Sequence, residues 1–298
     1  VSAHDRSGFG SSEARLKPEE FRLLRDLFCS RIGVHFSLES RFIVERRLRE
    51  RLGALGLTTF AEYYQYLRFA PGAPAEWDEV DRLVTTNETY FCREDYQLRS
   101  FKNELLPMLV EQTKPRGGHL SIWSAGCSTG EEVYSIAMLV QQSNLFRPEN
   151  VRIYGSDVSR RCIAAARKGV YGASSFRAID PALRDRFFLQ RADGVHVDPL
   201  LKSMCHFGQH NLLDADKARL LGRADVVFCR NVLIYFDAHA RKRAIDVFHE
   251  RLHAGGVLLL GHSESLLNVS TAFELLHLKE DLAYRKPKGF GRADSPRE

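Results

Sequence analysis

No uninterrupted apolar run approaches the ~18–20 residues that a membrane-spanning helix needs, which excludes a helical membrane span. The first 20 residues, VSAHDRSGFGSSEARLKPEE, lack an apolar signal core, and their Gly/Ser content is that of a loose leader or an appended tail. No two of the six cysteines (Cys29, Cys92, Cys127, Cys162, Cys205 and Cys229) lie closer than 24 residues, which excludes CxxC chemistry and a zinc ribbon. Thiols scattered so widely are expected to be free, in a reducing compartment. Internal repeats and low-complexity tracts are also missing. So is any large excess of one charge: 43 Lys and Arg against 38 Asp and Glu leave +5, with a pI near 8.9. That is too little to mark a nucleic-acid binder and enough to favour an acidic partner. What is present is a chain of 298 residues, 44% hydrophobic and 27% charged, which supports a packed core and argues against wholesale disorder. A soluble, cytoplasmic protein is expected.

Apolar residues recur at helical spacing through residues 21–34, 40–56 and 60–69, with Gly53 and Gly56 separating the second helix from the third. The stretch APGAPAEWD (Ala70 to Asp78) predicts a linker or loop. A further helix is expected through DEVDRLVTTNETYFCRED and on into FKNELLPMLVEQ. From about Pro115 the pattern changes. Short apolar strands at LSIWSAG, VRIYGSD, MCHFGQHN, ADVVFCRN and GVLLLGH alternate with helical stretches such as EEVYSIAMLVQQ and RKRAIDVFHERLH. That alternation implies right-handed crossovers and a doubly wound, mostly parallel α/β sheet. The segment FFLQRADGVHVDPLLKSMCHF has period-two stretches flanking Asp193-Gly194, which predicts a small antiparallel insertion.

Leu120 to Met138 reads as a strand, a glycine-rich turn and a helix, and two chemistries fit it. Gly126 and Gly130 permit a tight turn and close backbone approach to a nucleotide-like cofactor. Alternatively, Gly126-Cys127-Ser128-Thr129-Gly130 matches the GxSxG nucleophile elbow, with Asp157 and His262 downstream in the order of a hydrolase triad. The next two residues weigh against a phosphate ligand. Glu131 and Glu132 would repel a pyrophosphate and attract a cation or a hydroxyl-rich group, and S-adenosylmethionine has an ammonium, a sulfonium and no phosphate. In the bland reading the two glutamates only complement the helix dipole. Asp157 ends the following strand, 27 residues past Gly130, where a carboxylate grips ribose hydroxyls in dinucleotide folds. Asn211-Leu212 closes the third strand, where an amide and an apolar side chain could frame an adenine. Arg230-Asn231 closes the fourth. Each of these alone reads as a cap or loop residue; together they converge on the crevice beyond the strand ends.

His249-Glu250-Arg251-Leu252-His253 spells HExxH. The motif ends a helix just before Gly255-Gly256 and an apolar strand. Leu252 is expected on the sheet-facing stripe with Ile245 and Phe248, and His253 near the helix C-terminus suits the dipole. No metal site is expected there or elsewhere.

LVTTNETYFCRED, WSAGCSTGEEVYSIAM, YGSD, DVVFCRNVLIYFD and GGVLLLGHSESL, in this order, resemble the CheR-type chemoreceptor glutamate methyltransferases, over roughly Phe21 to Lys286. The resemblance implies a Rossmann-like, S-adenosylmethionine-dependent α/β domain at 115–288 with an antiparallel β-subdomain at about 187–207. It also implies an all-α, receptor-docking N-terminal domain at 14–80 and a connecting helical segment at 81–114 that contributes to the cofactor site. The family's cofactor pattern falls on Asn87, Thr89 and Arg93, on Glu131 or Glu132 with Glu132 favoured, and on Asp157, Asn211, Leu212, Arg230 and Asn231. Cys92 stands where the family usually has an aromatic residue, and Val133 where it usually has proline. The implied reaction moves a methyl group from S-adenosylmethionine to glutamate carboxylates on the cytoplasmic helical region of chemoreceptors, leaving S-adenosylhomocysteine. Arg93 and Tyr235 are the candidates for orienting the incoming carboxylate. The implied enzyme is a monomer with no nucleic-acid partner and no membrane insertion. Competing readings are a methyltransferase acting on a small molecule or RNA, and a non-catalytic module that responds to the cofactor.

LESRFIVERRLRERL (Leu38 to Leu52) adds a partner surface. Val44, Leu48 and Leu52 form one apolar stripe, which leaves a basic face around Arg46, Arg47 and Arg51. The bland alternative is a solvated helix with Glu45–Arg49 and Glu39–Arg46 pairs. The resemblance implies that this face docks on acidic receptor helices.

Overall fold

The structure, a computed structural model, describes residues 14–288, so most of the expected leader lies outside the described residues. Four helices come first: α1 (Pro18–Ile32), α2 (Arg41–Leu55), α3 (Phe60–Phe69) and α4 (Ala73–Val84). Their starts are written locally. Glu20 reaches back to the Lys17 N–H at 2.9 Å, and Thr59 and Glu62 cap α3 reciprocally. The stripe Val44, Leu48 and Leu52 is buried as expected, against Phe28, Phe60, Tyr63 and Trp77. Arg51 is not on a free basic face: it forks onto the buried Glu76 carboxylate at 2.9 and 2.6 Å. Glu45 pairs with Arg49, whereas the Glu39 carboxylate is held by Ser37 and not by Arg46.

Two expectations fail in this half. Ala70–Asp78 is not a linker, because α4 begins at Ala73, with Pro74 in its first turn. There the missing proline N–H costs nothing, since no intrahelical carbonyl is available to it. Conversely, the helix expected through TNETYFCRED stops at Val84. Thr85 closes α4 by donating its N–H and hydroxyl to the Asp81 carbonyl at 3.2 and 2.6 Å. Residues 86–90 run without regular structure and 91–94 turn, with Cys92 and Glu94 at φ of 60° and 53°. Short polar and β-branched side chains compete with helical hydrogen bonds here. Helix resumes as α5 (Asp95–Ser100), passes through a π turn at Phe101–Leu105, and continues as α6 (Leu106–Thr113).

The remaining elements build two sheets. The strands are β1 (Leu120–Ala125), β2 (Val151–Asp157), β3 (Val170–Tyr171), β4 (Phe188–Arg191), β5 (Gly194–Val197), β6 (Cys205–Gln209), β7 (Ala224–Cys229), β8 (Leu252–Leu260), β9 (Glu274–His277) and β10 (Leu282–Arg285). The helices among them are α7 (Glu131–Ser143), α8 (Arg160–Lys168), α9 (Pro181–Phe187), α10 (Pro199–Met204), α11 (Ala215–Arg219) and α12 (Ala238–Arg251). The main sheet has the order β6-β2-β1-β7-β8-β10-β9. Its first five strands pair in parallel, and a C-terminal hairpin that the sequence reading did not anticipate adds the antiparallel edge. Alternate residues feed opposite cores: Ile122, Val226 and Phe228 face one apolar layer, Trp123, Val227 and Cys229 the other. The small antiparallel sheet, β3-β5-β4, spans residues 170–197 and takes its third strand from before the hairpin. Arg191 pairs with Gly194, so the turn residues are Ala192 and Asp193, one position earlier than expected.

The end of α1 seats the helical half on the strand ends. Val34 bridges to Phe236, the His35 N–H donates to the Tyr235 carbonyl at 2.8 Å, and Asn211 Nδ2 donates to the Arg31 carbonyl at 2.6 Å.

Candidate active site

A cleft opens beyond the C-terminal ends of β1, β2, β6 and β7. Asn87, Thr89, Arg93, Glu132, Asp157, Asn211, Leu212, Arg230, Asn231 and Tyr235 all line it. Glu131 does not. It is buried, with its carboxylate accepting the Thr129 hydroxyl at 2.6 Å and the Ser175 hydroxyl at 2.9 Å, so it braces the loop from behind.

The floor is the turn after β1. Gly126 has φ of 82°, and a Cβ there would lie 2.5 Å from Val232 Cγ2, so only glycine fits. Ser128, also at positive φ (48°), donates its N–H to Asp157 Oδ2 at 2.9 Å, while the Ser159 N–H reaches Oδ1 at 2.9 Å. Burial pushes the Asp157 carboxyl up and these backbone bonds pull it back. Each oxygen keeps a lone pair for a ligand hydroxyl. Glu132, in the first turn of α7, accepts the Ser124 hydroxyl at 2.7 Å and Arg230 Nη1 at 3.2 Å. Burial raises its carboxyl, against the pull of Arg230.

Arg230 is 7% exposed and serves two carboxylates, Glu132 and Glu94, as well as the Arg93 carbonyl at 2.5 Å. Burial works to raise Glu94, but Arg230, with hydrogen bonds from Asn231 and His262, more than offsets it and holds the carboxyl below its ordinary value. Two carboxylates sharing one guanidinium leave this end of the cleft net negative. That suits a cationic ligand group. Asn211 is partly committed elsewhere, since its amide holds Arg31 and accepts the Leu213 N–H at 3.0 Å. Arg93 donates Nη1 to the Glu88 carbonyl at 2.8 Å, and the Tyr235 hydroxyl has no hydrogen-bond partner among the described residues.

Neither competing motif assembles. The Ser128 hydroxyl donates to the Asn87 carbonyl at 3.2 Å, and His262 bonds Glu94 (3.0 Å) and Ser263 (2.9 Å), so Ser128, Asp157 and His262 form no relay. HExxH is split: His249 sits in the last turn of α12, whereas Leu252 and His253 open β8. The expected place of Leu252 on the helix stripe is therefore incorrect, although it is fully buried. Among the described residues no three His, Cys, Asp or Glu side chains are grouped to hold a metal.

The sequence reading missed Glu94 and Glu264. Glu264 accepts four backbone N–H groups: Asn231 and Gly261 on Oε2 (2.8 and 2.7 Å), Val232 and Ile234 on Oε1 (3.0 and 3.2 Å). It fixes the turn that presents Asn231 and Tyr235. Both glutamates stand inside the quoted motifs, TNETYFCRED and GHSESL, which was the only signal available.

Residues 87–282 match the family model described as CheR methyltransferase, SAM binding domain, and residues 19–85 match its all-alpha domain. The chain belongs to the CheR methyltransferase family. It is 36% identical over 279 residues to chemotaxis protein methyltransferase 2 of Vibrio cholerae, covering 93% of this chain and 96% of that protein. The chemotaxis protein methyltransferase of Klebsiella aerogenes is 35% identical over 265 residues (87% and 88% of the two chains), and that of Escherichia coli 32% over 265 residues (87% and 89%). The protein is thus a methyltransferase, with S-adenosylmethionine as its cofactor. The CheR donor set fits that cofactor, offering the Asp157 and Glu132 carboxylates for its hydroxyl and cationic groups.

Proposed function

We propose that this CheR family member methylates glutamate side-chain carboxylates on the cytoplasmic helical region of methyl-accepting chemotaxis receptors, in sensory adaptation. It acts in the cytoplasm, as a monomer. The observation that carries this reading is an acidic cleft with its charge gathered around Arg230, opening beside Arg93 and the unpartnered Tyr235 hydroxyl. Bound S-adenosylmethionine supplies a methyl group on a sulfonium.

In this reading Asp157 holds the ribose, and Leu212 with Asn211 frames the adenine. Glu132, Asn87, Thr89, Arg230 and Asn231 complete the cofactor site, and Glu131 only supports it. Residues 81–114 close the cleft, and residues 14–80 dock the receptor. The target carboxylate is ionised at pH 7, given its reference pKa of about 4.3, so no general base is needed. Arg93 and Tyr235 orient that carboxylate, and their task is in-line positioning and exclusion of water. Opposite charges cancel as the methyl moves, so a dry site favours the transition state. An ion pair with Arg93 that was too strong would stabilise the ground state, and the half-exposed setting of Arg93 keeps it weak.

Radiolabelled S-adenosylmethionine incubated with receptor-bearing membranes tests the proposal. Label on the receptor is expected; label confined to a small molecule or RNA overturns it.

A further inference from the structure

Glu94 does not line the cleft, but it holds two residues that do. Its carboxylate accepts Arg230 Nη2 on Oε2 at 3.2 Å and Asn231 Nδ2 on Oε1 at 3.1 Å. His262 Nδ1 lies 3.0 Å from the same Oε1, and His262 is steadied in turn by the Ser263 hydroxyl, 2.9 Å from its other ring nitrogen. Segments more than 130 residues apart thus converge on one carboxylate whose side chain is 12% exposed. The backbone that presents it is left-handed, at φ of 53°, a conformation uncommon for glutamate.

Glu132 is the carboxylate on the ligand side. It lines the cleft, and its Oε2 takes Arg230 through Nη1 at 3.2 Å. A guanidinium paired with Glu132 alone would cancel the charge that Glu132 shows to a ligand. Here the second nitrogen of the same guanidinium is turned to Glu94, so two negative charges stand against one positive. The Arg230 side chain is 2% exposed, which places the exchange where water screens little. Glu94 therefore keeps Glu132 acidic without touching the ligand itself.

We propose that Glu94 is a positioning residue that sets cofactor specificity: by sharing Arg230 it leaves Glu132 with the negative charge that selects the ammonium group of the cofactor. This rests on the reading of Glu132 as a cofactor-binding residue. A role confined to propping the Asn231 turn would affect every ligand of the cleft alike. A role in charge would affect only ligands that carry the ammonium.

Calorimetric titration with S-adenosylhomocysteine and with its desamino analogue, which keeps the carboxylate and lacks only the ammonium, separates the two. Wild-type protein should bind S-adenosylhomocysteine the more tightly. Glu94→Gln, which keeps the length of the side chain and one acceptor oxygen, should weaken S-adenosylhomocysteine about tenfold and leave the analogue unchanged. That is the scale expected for one charge acting through a neighbour at an effective dielectric of about 20. Glu94→Asp keeps the charge and tolerates the left-handed backbone better, so it should restore the preference for the ammonium. Equal losses for both ligands in Glu94→Gln overturn the proposal in favour of a purely structural role, and so does unchanged affinity for both. Glu132→Gln should also remove the preference. If it does and Glu94→Gln does not, only the proposal fails; if Glu132→Gln keeps the preference, the reading of Glu132 fails and takes the proposal with it.

Discussion

The Glu264 carboxylate accepts the Asn231 backbone N–H at 2.8 Å, across a gap of 33 residues, and the same carboxylate gathers Gly261, Val232 and Ile234. Asn231 is held at φ of 58°, a left-handed conformation that asparagine tolerates better than most residues. The turn carrying Asn231 and Tyr235 therefore owes its shape to one acidic side chain. Each buried donor left without a partner costs about 1–3 kcal/mol. Glu264→Ala should lower the thermal midpoint and abolish most methyl transfer, while Glu264→Gln, which keeps one acceptor oxygen, should retain more of both. Thermal melts alongside rate measurements check this; wild-type kcat in the alanine variant contradicts the positioning role.

Asp157→Ala should weaken binding of S-adenosylhomocysteine by about 1.5–3 kcal/mol, the range for a hydrogen bond to a charged group. Asp157 ends β2 at the cleft, so the fold should survive. Calorimetric titration decides it, and unchanged affinity removes the ribose assignment.

On α2, Arg49 and Arg51 are committed to Glu45 and Glu76 and Arg41 lies over the Phe42 ring, which leaves Arg46, exposed beside Phe42 at 70% exposure, and the half-buried Arg47 as the basic face. Arg46→Glu with Arg47→Glu should slow receptor methylation at low salt and flatten its salt dependence, with cofactor binding intact. Steering by such charges is screened over a Debye length of ~8 Å at physiological ionic strength. A wild-type rate at low salt would show that α2 is not the docking surface.

Asp81, 3% exposed, has its carboxyl pushed up to about 7 by burial, with Arg31 pulling it down and Asp78 and Asp157 adding to the rise. An acid whose folded pKa is raised binds its proton more tightly in the folded state. Stability therefore falls as pH rises from about 4 to about 7, then levels off. Asp81→Asn removes this term. The variant should be more stable than wild type at pH 8, by roughly 1–3 kcal/mol, with the gap closing towards pH 4. Urea denaturation at the two pH values measures it, and a gap independent of pH refutes it.

The parts of the fold legible in the sequence are those that local pattern dictates. The five parallel strands are apolar runs between turns, and the helical stripes repeat at 3.6 residues. The cleft was legible because strand ends converge in a doubly wound sheet, whichever residues occupy them. What escaped depends on distant partners or on competition between local preferences. The β9 strand is almost wholly exposed and shows no apolar alternation. Residues 86–94 look helical until their backbone groups find partners outside the helix, as when the Cys92 N–H donates to the Ser135 hydroxyl at 2.9 Å. Leu252 looks like one more turn of α12, but it opens β8 in pairing with Ala224. Glu94 reaches Asn231 across 137 residues, a contact that no spacing rule displays.

The central claim, methyl-ester formation on receptor glutamates in this cleft, is tested most directly by base lability of the transferred label. Receptor-bearing membranes are incubated with radiolabelled S-adenosylmethionine and the wild-type or Asp157→Ala protein, and the labelled receptor is then treated with mild base. The account predicts label on the receptor that base releases as volatile methanol, sharply reduced with the variant at limiting cofactor. Label that survives base, or that never reaches the receptor, contradicts it.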